Sequence, residues 1–170
     1  RETGAQLLSD HERVEIHGRR LLLLHGDTLC TDDAAYQRLR RCARHPATRL
    51  VLRHLPLALR RRIARDSRAA SQRHNRNKPE YIMDVNADAV LAGFRTSGAE
   101  VMIHGHTHRP GRHCYQVEDR TVERVVLGDW TTTSGWYARI GVTGMIELDS
   151  FPISPPAGPS ESETRHPAPR

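Results

Sequence analysis

Three histidines fall at alternate positions in His104-Gly105-His106-Thr107-His108-Arg109-Pro110, directly after the apolar run Val101-Met102-Ile103. Imidazoles spaced this way behind a strand aim several nitrogen donors into one small volume. The glycine between them permits the tight backbone that this needs. Neutral imidazole suits Mn, Fe, Zn and related divalent ions. Hydrogen bonding within a loop is the alternative fate of such residues, but three histidines within five positions favour a metal role. His25 is a second candidate, standing where the apolar run Leu21–Leu24 opens into Gly26-Asp27. Taken alone, a histidine at a strand end is more often structural than a ligand.

The elements that must hold these side chains can be read from pattern. Val14–His17 and Arg20–His25 flank Gly18-Arg19 and predict a hairpin. Thr31 and Asp32 are placed to cap a helix over about Asp33–Ala43, which His45-Pro46 ends. Leu52, Leu55, Leu59 and Ile63 then form one apolar stripe interrupted by Pro56, with Arg53, Arg60, Arg61 and Arg65 off it. A further helix over Ala87–Thr96 stops at Gly98, and Ala99–Ile103 is a strand leading into the histidine loop. Alternation predicts strands over Arg112–Val117, Thr121–Leu127, Tyr137–Val142 and Met145–Phe151.

Charge is unevenly distributed. Of the chain's 26 Lys and Arg, fourteen lie between Gln37 and Lys78, where Asp66 is the only acid. Such a block favours an anionic partner, whether nucleic acid, an acidic membrane surface or a phosphorylated ligand; a solvated helix face is the plainer reading. Lys78 is the only lysine, which suggests a point-charge contact that a guanidinium would fit poorly. Ser71, Asn75 and Lys78 are spaced to share one helix face. The three cysteines show no CxxC spacing and predict neither a disulfide framework nor a zinc knuckle, in keeping with a reducing cytoplasm. No apolar run has the length of a membrane span and no signal peptide opens the chain. Residues 152–170, rich in Pro, Ser and charge, are expected to be a disordered tail, leaving 1–151 as the domain.

Four blocks, LLHGDTLCTDDAAYQ (23–37), SRAASQRHNRNKPEYIMDVN (67–86), IHGHTHRP (103–110) and VVLGDW (125–130), resemble the UDP-2,3-diacylglucosamine pyrophosphatases of lipid A biosynthesis, in that family's order. GHTH is shared across the calcineurin-like metallophosphoesterase superfamily, whereas HGDTLCTDD and IMDVN are far more specific. The resemblance covers residues 1 to about 151 and implies an α+β fold, the C-terminal part of a metallophosphoesterase with packed mixed sheets flanked by helices. It implies a helical lid insertion at about 44–80, whose leucines hold acyl chains and whose arginines face anionic headgroups. Packing of the Leu52–Ile63 stripe on the main core is the competing reading, and only the lid requires those leucines to be partly exposed.

The same resemblance implies two Mn2+ per intact site. His25 and His106 match ligands of one metal and His108 a ligand of the other, with His106 also touching phosphate as a catalytic residue. His104 does not match a ligand and is expected to support the others or pack. Asp33, Tyr36, Arg68, Ser71, Asn75, Lys78 and His106 match substrate-binding positions. The implied reaction is hydrolysis of the diphosphate of UDP-2,3-diacylglucosamine to UMP and 2,3-diacylglucosamine 1-phosphate. It would take place on the cytoplasmic face of the inner membrane, with no nucleic acid or protein partner.

One part of that chemistry has no counterpart in the sequence. Holding two dications a few ångströms apart needs a bridging carboxylate, which the superfamily draws from D-x-H, G-D-x-x-D and G-N-x-D segments. None of these occurs in the chain. The expectation is therefore a truncated domain with little activity by itself. Two other readings compete: another metallophosphoesterase, such as a nuclease or nucleotide phosphodiesterase, and a non-catalytic basic module that binds anionic membranes. The basic block has few aromatic residues for stacking on bases, which weakens the nuclease reading.

Overall fold

Residues 4–75, 82 and 84–154 are described by a computed structural model of the chain. A tight turn sets the first pairing. His17 and Gly18 both take positive φ, 50° and 74°, the conformation that matches the twist of a two-residue hairpin. They join β1 (His11–Ile16) to β2 (Arg19–Leu24), with Ile16 opposite Arg19. Strand β2 runs parallel to β3 (Val101–His104), and β3 runs parallel to β5 (Arg120–Val126). Strand β4 (Gly111–Val117) returns antiparallel to β5, and the sheet order is β1-β2-β3-β5-β4. A separate hairpin pairs β6 (Ser134–Ile140) with β7 (Ile146–Pro152).

Both faces of the central strands are covered, which is why they read as continuous apolar runs rather than alternating ones. On one face, helix α4 (Ala87–Ser97) buries Val90 and Phe94 against Leu22, Met102, Val117 and Val122. Each such side chain contributes roughly 1.5–3 kcal/mol of apolar burial. On the other face Leu21, Val101, Ile103 and Val125 meet Ile146 of the β6–β7 hairpin. The fold is thus α+β, with helix, mixed sheet and hairpin in layers. The ends of α4 follow capping chemistry: Asn86 accepts from the Ala89 amide at 3.1 Å, and Gly98 closes the helix with φ of 67°.

Three further helices, α1 (Ala34–Arg44), α2 (Pro46–His54) and α3 (Leu57–Asn75), follow β2. The break between α2 and α3 falls at Leu55-Pro56, as the sequence predicts. The cap of α1 differs from expectation. Asp33, not Thr31 or Asp32, is the N-cap, and its Oδ1 accepts the Tyr36 amide at 3.0 Å. Sequence alone does not choose among three adjacent capping residues; the chain direction out of the Cys30 loop does.

No residue of α1 or α2 is buried, and Leu50, Val51, Leu57, Leu59 and Ile63 are exposed. Of the predicted stripe, Leu59 and Ile63 are exposed and Leu52 and Leu55 half-buried, and none of the four packs on either core cluster. Among the described residues no helix is long and apolar enough to cross a membrane. Strands β3 to β7 match their predicted positions to within three residues at each end. Of the expected tail, residues 152–170, Pro152 closes β7 and Ile153 N donates to Thr133 O at 2.8 Å, while 155–170 lie outside the described residues.

Candidate active site

The parallel pairing of β2, β3 and β5 decides where the chemistry sits. All three strands end at the same edge, so the segments that follow Leu24, His104 and Val126 lie side by side. Backbone hydrogen bonds carry the pairing past the strands: Gly105 N donates to His25 O at 3.1 Å, and Leu127 N donates to His104 O at 2.7 Å. The carboxyl ends of parallel strands are where open α/β-type sheets hold ligands.

His25 is held from below. Its Nδ1 lies 3.1 Å from Oδ1 of Asp27, and Oδ2 of that carboxylate takes Arg40 Nε at 2.6 Å. Burial alone would push the Asp27 carboxyl up. Hydrogen bonds and charge from Arg40 and His25 outweigh it and hold the group below the usual carboxylate range. With a carboxylate at Nδ1, the proton stays there and the Nε2 lone pair is left as donor, the arrangement that orients a metal-binding histidine. Helix α1 is tied to the same segment, since Gln37 Nε2 donates to the carbonyls of Asp27 at 2.7 Å and Cys30 at 3.0 Å.

His106 and His108 both take left-handed backbone conformations, with φ of 69° and 54°. Such conformations cost non-glycine residues of order 1–3 kcal/mol and persist where the surroundings enforce them. The result brings the His106 ring centroid to 4.9 Å from that of His25 and 5.5 Å from that of Tyr36. Burial, followed by the charge that His25 would carry, lowers the His106 pKa and favours the neutral imidazole. His108 points elsewhere along the loop, its Nδ1 3.5 Å from Asp129 Oδ2. Gly26 makes the crowding possible. Its φ is 109°, and a Cβ there would stand 2.8 Å from His104 Nδ1 and 2.9 Å from Gly105 O.

His104 is structural. It is buried, its Nδ1 lies 2.8 Å from Gly105 O, and its Nε2 lies 3.2 Å from Arg124 Nη1. Both ring nitrogens are used, Nδ1 as donor and Nε2 as acceptor. Burial is the main cause that brings its pKa down to about 4.

Beside His106 is a cleft of about 300 Å³ lined by Asp33, Tyr36, Ser71 and Arg109, among others. Three sequence-predicted substrate residues thus share a wall with His106. Arg68 does not: it lines a separate groove on α3 with Arg61 and Arg65. The Asn75 side chain and the whole of Lys78 lie outside the described residues. Cys30 also lines the cleft, but burial, then Asp84 and Asp27, push its thiol up to about 11, so it is no nucleophile. Among the described residues no group of three or more His, Cys, Asp or Glu side chains is placed to hold a metal ion. The donors present fit the imidazole part of a metal centre, and the carboxylate part is not among them.

Sequence reasoning did not foresee the support given by Asp27, Arg40 and Asp129. The i, i+2 spacing of His25 and Asp27 was a usable signal. Asp129 offered none, because only the β3–β5 pairing brings it to His108.

The α+β chain thus gathers two imidazoles, a buried carboxylate and a polar cleft at one sheet edge. No protein-family model matches the chain. Among curated proteins, it is 46% identical over 153 residues to the UDP-2,3-diacylglucosamine hydrolase of Pseudomonas paraeruginosa, covering 90% of this chain and 63% of that protein. Its identity to the protein of the same name from Pseudomonas syringae pv. tomato is 44% over 152 residues, covering 89% and 60%. The one from Azotobacter vinelandii is 46% identical over 153 residues, covering 90% and 63%. The chain is thus a relative of the UDP-2,3-diacylglucosamine hydrolases over about nine-tenths of its length, and it spans about three fifths of theirs.

Proposed function

We propose that this chain carries the histidine and substrate-cleft part of a calcineurin-like hydrolase that splits UDP-2,3-diacylglucosamine into UMP and 2,3-diacylglucosamine 1-phosphate. The observation that carries this reading is the position of His106, whose ring lies tilted beside that of His25 on one side and walls the Asp33–Tyr36–Ser71 cleft on the other. Candidate metal donors and candidate substrate contacts thereby meet at one side chain.

In this reading His25 and His106 hold one Mn2+ and His108 helps to hold a second. Bound dications would supply a nucleophilic hydroxide near neutral pH and offset charge on the phosphoryl oxygens. The chain's own residues prepare that chemistry. Asp27 keeps the His25 proton on Nδ1, burial keeps His106 neutral, and Asp33 and Tyr36 orient the substrate beside it. Helices α2 and α3 act as the lid, at an anionic membrane surface on the cytoplasmic side. Their exposed Leu50, Val51 and Leu57, set among arginines, support that role.

Two measurements test the proposal. The chain should bind UDP-2,3-diacylglucosamine, and His106→Ala or Tyr36→Ala should weaken that binding; unchanged binding in both variants would sink the substrate reading. Mn-dependent UMP release by this chain alone should be slight, because no D-x-H or G-D-x-x-D carboxylate is present. Robust turnover would show that no outside carboxylate is required.

A further inference from the structure

Adjoining the His106 cleft, and sharing Thr107 and Arg109 with it, is a second cavity of about 230 Å³ whose walls also include Asp84, Arg112, His113 and Arg124. Its charges do not balance. Arg109 is paired with Asp84, Nη1 to Oδ2 at 3.2 Å, and the other oxygen of Asp84 accepts the Val85 amide at 2.7 Å. That acid is therefore occupied.

Arg124 is only 6% exposed. Its hydrogen bonds go to neutral groups, from Nε to Tyr115 Oη at 2.9 Å and from Nη1 to His104 Nε2 at 3.2 Å. Among the described residues no carboxylate forms an ion pair with it; Asp84, on the same cavity wall, is held by Arg109, and the Tyr115 ring centroid lies 5.8 Å from the Arg124 Cζ. A buried guanidinium without a counter-charge is costly, since the cation loses water and gains no anion in return. A second, separate orphan lies beside it: Thr107 borders both this cavity and the His106 cleft, and its buried Oγ1 has no hydrogen-bond partner. A buried donor left unpaired costs about 1–3 kcal/mol.

One ligand would satisfy both. We infer that this cavity is a binding site for a tetrahedral oxyanion of the phosphate class, seated between the Arg124 guanidinium and the Thr107 hydroxyl, adjoining the cleft that His106 lines. Guanidinium and hydroxyl donors match phosphate oxygens, and a divalent anion supplies the missing charge. His113, on the exposed strand β4, closes the remaining wall and is held neutral by burial and by the charge of Arg124. The anion would also brace the loop that carries His106 and His108, because Thr107 lies between them.

The test is calorimetric titration of the chain with inorganic phosphate. We expect saturable binding that is about tenfold weaker in Arg124→Gln, the loss expected from one charge-assisted contact. His113→Glu places a repelling charge at the exposed rim, leaves the core intact, and should abolish binding even if Arg124→Gln fails to fold. His106→Ala, across the loop, should bind phosphate as the parent does. Competition by glycerol 3-phosphate would mark an esterified phosphoryl group as the natural occupant, and its absence would mark the free ion; either keeps the site. Absence of phosphate binding, binding unchanged in His113→Glu, or binding lost in His106→Ala would overturn the inference. The last result would place the anion in the His106 cleft instead.

Discussion

His25 and Asp27, two residues apart in sequence, face each other with Nδ1 3.1 Å from Oδ1, and the carboxylate is itself clamped by Arg40. The carboxylate therefore governs which imidazole nitrogen is free. Asp27→Asn keeps the shape and removes the charge. Mn affinity, followed by equilibrium dialysis, should fall about 10- to 100-fold, as when a supporting carboxylate is lost. Stability should drop by up to about 3 kcal/mol, the low end of the buried-pair range because Asp10 still faces Arg40. Unaltered Mn uptake would separate Asp27 from any metal role.

His104 makes stability depend on pH in a definite direction. Its folded pKa of about 4 lies below its ordinary value of 6.5, so the unfolded chain takes up the proton first. The stabilisation is complete above about pH 6.5, declines as pH falls through that value, and levels off below about pH 4. The loss amounts to about 3 kcal/mol, since each tenfold difference in proton affinity between the folded and unfolded chain is worth roughly 1.4 kcal/mol. Urea midpoints taken in chelator at pH 7 and pH 5 should differ more for the parent than for His104→Gln. Equal differences would refute the assignment.

Gly26 is held at φ of 109°, with His104 and Gly105 packed against the place a Cβ would occupy. Gly26→Ala should cost about 1–3 kcal/mol through backbone strain and overpacking. Gly98→Ala is the comparison: its φ is also positive, but nothing lies within 4 Å of its Cβ position. The Gly26 variant should be the less stable of the two in denaturant titrations.

Leu50 and Leu57 contribute little to the fold, because both are more than half exposed. Replacing both by Gln should change stability by less than about 0.5 kcal/mol each. Partitioning onto anionic phospholipid vesicles should weaken by roughly a hundredfold, the scale of burying two leucines in an apolar phase. Vesicle binding that survives the double substitution would remove the membrane role from these helices.

Much of this was legible in the chain. Strand and helix positions followed from apolar runs, and Gly18 and Gly98 marked a turn and a cap. The supporting or packing role expected for His104 came from the resemblance; in the structure it is buried in β3 with both ring nitrogens engaged. The choice of Asp33 over Asp32 as helix cap did not follow, because adjacent capping residues offer equal local chemistry.

Residue types and local spacing alone thus determined which groups are candidate donors and which strands carry them, because donor chemistry and periodicity are local properties. Tertiary structure alone decided that His25 and His106 meet, that Asp129 reaches His108, that Arg68 lies outside the cleft, and that Arg124 is buried without an acid. The reason is the register of three parallel strands. Parallel neighbours are joined by long crossovers, so which residues share an edge is set by sheet pairing and not by distance along the chain.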